Sequence, residues 1–447
     1  MKYFYIGLIS LTSVAAVWLY SQWGETATLT VEQGYGNVPK LPKPNPTLIP
    51  TVNIAPAISW PQGQTPRAAE GFVVNAFASG LDHPRWLHIL PNGDVLVAES
   101  NAPPKPAGAY TVRDAAMKAV MKRAGAGVPS ANRISLLRDA DGDGIAETKS
   151  AFLENLNSPF GMALVGATLY VANTDAIVAY AYVQGATKLV GPGVTVAKLP
   201  AGPINHHWTK DIIASLDGTK LYATVGSNSN VGENGLENET NRAAVLEIDI
   251  ATGAIRVFAS GLRNPNGISR QPDSGALWVA VNERDEIGSD LVPDYITSVR
   301  EGGFYGWPYS YYGKTIDTRV SPPRPDLVAN AIVPDYAVGA HTASLGLTFN
   351  DKSLFPPRYL HGAFIGQHGS WNRSPITGYK VIFVPFKQGV PAGLPETILD
   401  GFLNSDQQAM GRPVGVKFHN NGALLVADDV GNVIWRVTPT ASRSKPN

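Results

Sequence analysis

At 447 residues the chain is longer than an ordinary domain, yet closed all-β folds reach this size as single units, so length alone does not demand two domains. Lys+Arg and Asp+Glu both number 36, and a net charge of zero leaves no basic excess to neutralise a phosphate backbone, which argues against nucleic acid as a partner. The lack of cysteine excludes disulfides, thiolate nucleophiles and Cys-ligated metals, while 45 Gly and 35 Pro suit short strands and tight turns better than helices.

Residues 1–23 open with Lys2 and run through an almost unbroken apolar stretch from Tyr3 to Tyr20. This predicts a signal peptide or membrane anchor and a periplasmic or otherwise extracytoplasmic location. No clear small-x-small cleavage site precedes Ser21, and Trp18, Tyr20 and Trp23 suit a membrane interface, so an uncleaved N-terminal helix in the inner membrane is the favoured expectation. Residues 24–67 are Pro-rich, as in Leu41-Pro-Lys-Pro-Asn-Pro-Thr-Leu-Ile-Pro50, and are expected to form an extended, poorly packed linker.

From residue 68 to 440 one pattern recurs: an apolar strand, a turn containing Asp, Asn or Gly, then a second apolar strand. The clearest copies are Leu90–Ala98, Ala163–Ala172, Ala214–Ala223, Gln271–Ala280 and Phe418–Ala427, with a weaker one at Leu347–Leu354 followed by Gly362–Gly366. Six copies at uneven spacing predict an all-β, six-bladed β-propeller with long insertions. Closure of the ring is expected between Gly71–Phe77 and Val433–Val437. One helical insertion is expected over 111–124, on the rim, and residues 441–447 form a tail.

The loop Asp139-Ala-Asp-Gly-Asp-Gly-Ile-Ala-Glu147 offers Asp139, Asp141, Asp143 and Glu147 to a structural calcium, with Gly144 where a ligand loop must turn; an Asp-Gly-rich turn without metal is the equal alternative. Three other loops precede first strands of blades, where one propeller face opens on the central channel. Gly202-Pro-Ile-Asn-His-His-Trp-Thr-Lys-Asp211 carries an imidazole able to act as a base, while Gly261-Leu-Arg-Asn-Pro-Asn-Gly267 and Gly411-Arg-Pro-Val-Gly415 each carry an Arg placed to meet anions. Together they suggest a pocket for a polyanionic ligand.

These segments, with Gly302-Gly-Phe-Tyr-Gly-Trp-Pro308 and Val426-Ala-Asp-Asp429, resemble the glucose/sorbosone dehydrogenase family of soluble aldose and pyranose dehydrogenases that use pyrroloquinoline quinone (PQQ) and Ca²⁺. The resemblance covers about residues 71–439. It implies oxidation of an aldose or pyranose sugar by hydride transfer to the quinone, with electrons passed to a quinone or cytochrome acceptor. It assigns the base to His207, with His206 adjacent, and cofactor contacts to Arg263, Asn264, Asn266 and Arg412. Trp371 would cover the quinone or line the sugar subsite. Asn372 stands where the family has Lys, and the role passes to Arg373. The catalytic calcium would sit on the backbone carbonyls of Glu283 and Arg284. Two other readings accompany this one: a calcium-dependent six-bladed lactonase, and a cofactor-free propeller that binds a glycan or a protein.

Overall fold

The computed structural model describes residues 24–104, 112–352 and 354–440. The expected signal or anchor and the C-terminal tail lie outside them. No helix among the described residues is long and apolar enough to cross a membrane.

Six antiparallel blades follow one another along the chain. Their first strands are Pro84–Ile89, Met162–Val165, Ile212–Ala214, Asn264–Arg270, Ser344–Phe349 and Pro413–Phe418. Each of the six sequence copies spans the turn between the first two strands of one blade, because that tight hairpin is the element least able to vary when insertions accumulate elsewhere. The ring closes as the pattern predicts. Phe72–Ser79 is the outer strand of blade 6 and pairs antiparallel with Val433–Pro439, from Phe72 opposite Pro439 to Ser79 opposite Val433.

The core lies between neighbouring blades rather than inside one. Phe355, Phe364, Phe383, Phe418 and Trp435 interleave between blades 5 and 6, and rings of this kind contribute about 1.5–3 kcal/mol each when fully buried. Nearer the axis the first strands touch backbone to backbone. A Cβ on Gly415 would stand 2.7 Å from the Arg85 carbonyl of blade 1, and one on Gly346 would collide with the Val414 carbonyl of blade 6. Glycine at these places lets the inner strands crowd the channel and brings the loops ahead of them together.

Residues 24–67 correct one expectation. The segment is extended, as its prolines require, but it is a strap packed on the propeller. Tyr35–Gly36 adds to the outer strand Tyr336–Ala340 of blade 4, and Arg67–Ala68 adds to Glu396–Asp400 of blade 5. Between them, the Asn53 amide donates to the Trp371 carbonyl (2.7 Å), and ahead of them Thr28 and Leu29 donate to Asp290. An extended chain without hydrogen bonds of its own finds them at blade edges, which would otherwise be exposed templates for pairing. The inserted helix Val112–Arg123 is present, and its end is held by the strap through the Arg123 carbonyl, which accepts from Ala57 N.

Candidate active site at the channel mouth

The loops ahead of the first strands enclose a cavity of about 380 Å³ at one end of the channel, within the range of small-molecule sites. Of the residues assigned from sequence, His207, Arg263, Asn264, Glu283 and Trp371 line it, together with His206 and Asn372. Met121 lines it as well, so the helical insertion expected on the rim reaches the site.

The His207 ring is fixed by its loop. Its Nδ1 is 2.8 Å from the Ser227 carbonyl, which can only accept, so Nδ1 carries the proton and Nε2 keeps its lone pair in the neutral ring. Burial first, then the neighbouring His206 and Arg263, hold its pKa well below that of a free imidazole. A Cβ on Gly226 would stand 2.5 Å from the His207 Cβ and collide with Asn264 Oδ1, so the glycine admits both side chains side by side.

Arg263 lines the cavity in a role different from the one expected. A guanidinium has five N–H donors, and here all of them meet protein acceptors. Nη2 bonds Asp285 (2.8 Å) and Asn230 Oδ1 (3.0 Å), Nη1 bonds the carbonyls of Glu283 (2.5 Å) and Asn282 (3.4 Å), and Nε bonds the Asn230 carbonyl (3.3 Å). It therefore gives the cavity charge and organises Asp285. That carboxylate is raised by burial but lowered more strongly by Arg263, His341 and Asn372, which hold it ionised. Asn372, standing where a Lys was expected, donates to Asp285 at 2.7 Å. Two neighbouring acids respond in the opposite sense. Burial pushes Glu283 up to about 7 and Asp294 up to about 6, so Glu283 shares a proton with solvent at neutral pH and Asp294 takes one up in mildly acidic solution.

A second charged group stands across the cavity. Asp429 gathers Arg85 (2.6 Å) and His368 (2.9 Å), both of which line the cavity. The sequence reading missed Arg85, Asp285, Asp294, His341 and His368. Arg85 had a visible signal: it follows Pro84 at the entrance of the first strand of blade 1, as Asn266 follows Pro265 in blade 4. Asp285, His341 and His368 sit on loops and Asp294 in the strand Pro293–Ser298, and their approach depends on the closed ring.

Four assignments do not hold in the form expected. Arg412 lies behind the wall, bonded to the carbonyls of His368 and Ala55 and stacked 4.7 Å from the Tyr379 ring. Arg373 turns to the strap, donating to Leu29 O and Pro375 O. Asn266 is buried among Thr209, the Asn264 carbonyl and Asn282. The Glu283 carbonyl is engaged by a guanidinium, whose charge opposes a metal ion at the same oxygen, and the Arg284 side chain is interior, 3.1 Å from Asp317 without hydrogen-bond alignment. Asp139, Asp141, Asp143 and Glu147 do converge, with ligand atoms within 4.8 Å of one another, on an exposed loop that is not part of the cavity.

Comparison with known proteins gives this geometry its family. The TrAA12-like family model matches residues 128–296 and 328–440. An uncharacterized protein of Borreliella burgdorferi is 32% identical over 243 residues, 54% of this chain and 63% of that protein. A pyrroloquinoline quinone-dependent pyranose dehydrogenase of Coprinopsis cinerea is 25% identical over 40% of this chain and 30% of its own length. The chain thus spans less than two thirds of these relatives. Among solved structures, the Trichoderma reesei carbohydrate-active enzyme of family AA12 superposes with a TM-score of 0.68 at 19% identity, covering 87% of this chain and 99% of that one. The holo PQQ domain of the Coprinopsis cinerea pyranose dehydrogenase superposes at 0.67 with 18% identity, covering 86% and 100%. A six-bladed propeller with a polar, imidazole-rich channel mouth, matched along more than half its length, is a member of the TrAA12-like family.

Proposed function

We propose that this chain is a quinoprotein sugar dehydrogenase that works outside the cytoplasm, oxidising an aldose or pyranose at its anomeric carbon and passing electrons to a quinone or cytochrome acceptor. The observation that carries the reading is His207, whose Nδ1 is committed to a carbonyl and whose Nε2 is left as a base on the cavity wall. The relatives named for PQQ-dependent sugar oxidation support it.

The cavity fits PQQ with holders partly different from those the sequence suggests. Arg85 Nε and Asn264 Oδ1 are buried polar atoms without hydrogen-bond partners, on residues that line it. With the charge of Arg263 beside them, they would meet the carboxylates and ring edge of the cofactor. PQQ, when bound, supplies an electrophilic quinone carbon that accepts hydride. The chain supplies the rest. His207 Nε2 takes the anomeric hydroxyl proton as hydride leaves the same carbon. Because burial, His206 and Arg263 disfavour the protonated ring, it passes that proton on readily. Trp371 offers an apolar face to the sugar. The Glu283 carbonyl accepts from Arg263, which brings a positive charge to that oxygen. The Asp139 loop is instead the calcium seat we propose, as a structural one.

PQQ added to the purified protein, with and without Ca²⁺, tests the reading when reduction of a dye is followed across a panel of sugars. Cofactor uptake with sugar-dependent dye reduction is expected. Neither uptake nor reduction overturns the proposal, and lactone hydrolysis without PQQ would replace it with the lactonase.

A further inference from the structure

Beside the central cavity lies a second one of about 460 Å³, between the strap, the loop after the inserted helix and blades 1 and 6. Its wall includes Asp82, His83, Ser59, Ser130, Asn432 and Asp429. The partition between the two cavities contains a single carboxylate with an imidazole on each side. His368, on the central cavity, is 2.9 Å from Asp429 Oδ2, and His83, on the second cavity, has Nε2 3.5 Å from the same oxygen.

His83 Nε2 is buried and has no hydrogen-bond partner. Burial lowers its pKa to about 4, so the ring is neutral. In the tautomer with its proton on Nδ1, the Nε2 lone pair faces a carboxylate oxygen and makes no bond, consistent with the missing partner. That arrangement becomes bonding when Asp429 receives a proton from the other side. Burial raises the Asp429 carboxyl, but the His368 and His83 rings and Arg85, at 2.6 Å, lower it more strongly and keep it ionised at rest.

We propose that His368, Asp429 and His83 form a proton relay, and that the second cavity is where the protons of the reaction reach water while substrate and cofactor fill the first. The proposal rests on the dehydrogenase reading. Oxidation of the sugar to its lactone removes an electron pair and a pair of protons. When the terminal acceptor is ferricenium, which takes electrons one at a time and binds no proton, both protons must be released. In each transfer His368, charged by a proton taken up at Nδ1 from the central cavity, gives its Nε2 proton to the Asp429 carboxylate, Asp429 passes that same proton to His83 Nε2, and His83 delivers it to water.

The test uses holoenzyme with His83→Phe, which keeps a ring but no proton-carrying atom, and His83→Ala, which opens space for added imidazole. Cofactor reduction by sugar should stay within twofold of wild type. Proton release during reoxidation by ferricenium, read with a pH indicator, should slow at least tenfold in both variants, and millimolar imidazole should restore it in His83→Ala. Release at the wild-type rate in either folded variant overturns the relay. In cofactor-free protein the NMR titration of His368 should shift in His83→Phe, because both rings share Asp429; an unchanged titration also overturns it. If wild-type protein takes up no PQQ, the dehydrogenase reading fails, while the NMR result still decides the coupling.

Discussion

The channel has two mouths of similar size, and only one looks built for chemistry. The cavity at the loop end is about 380 Å³; the one at the opposite end, lined by Trp86, His88, Asp211 and Lys417, is about 420 Å³. At the far end, titratable groups are muted by burial. Asp211 is pushed up to about 6 and spends its oxygens on Trp86 Nε1 and the Ile268 amide, and burial lowers Lys417. At the loop end, burial is overcome for Asp285 and Asp429 by guanidinium and imidazole partners, and both stay charged. The difference follows from connectivity: tight hairpins bound the far mouth, while the loops that join blades bound the near one and have room to bring charge to charge. Volume does not mark the site; partnered charge does.

Removing the base gives the largest expected effect. His207→Ala should lower kcat by about 10²–10⁴-fold, the range for a general base, while equilibrium dialysis shows PQQ still bound. In wild-type protein the rate should fall only at pH below the ordinary imidazole range, because the His207 pKa is depressed. Next comes Asp285→Asn, which leaves Arg263 and His341 without their anion. Loss of one partner of a buried pair costs about 3–5 kcal/mol, measurable by denaturant unfolding.

A smaller effect is a pH dependence with a defined sign. Burial pushes the folded Glu283 up to about 7 from the ordinary 4.5 of a free glutamate, so the folded state holds more protons in between, and stability falls as pH rises from about 4.5 to about 7. The loss is at most about 3 kcal/mol, and Glu283→Gln should flatten it in a series of urea midpoints against pH. Smallest of all, Lys417→Met at the far mouth should leave turnover within about twofold of wild type. A large loss there would break the contrast between the two mouths.

How much of this could be read from the chain depended on whether a feature is local. The blade hairpins declare themselves because strand, turn and strand are contiguous, and the closing strand shows because Gly71–Phe77 is apolar and lacks a partner nearby. His207 and Arg263 are legible because each stands in a short loop fixed by Pro and Gly. Arg412 misled because an Arg before Pro-Val-Gly resembles Arg263 in sequence, yet the strap brings the Ala55 carbonyl to it and turns it away from the cavity. Asp285 and His341 were not legible because their meaning lies in each other, across blades 4 and 5. The Pro-rich segment was misjudged for the same reason, since its hydrogen-bond partners are hundreds of residues away.

The strap also sets a condition on timing. Thr28 and Asp290 are 262 positions apart, and Arg412 and Ala55 are 357 apart. Contacts of such high order must meet the entropy of closing long loops, and the strap finds its hydrogen-bond partners only on blades that have already formed. The strap thereby makes the closed ring a single cooperative unit, in which loss of either end loosens blades far from it in sequence.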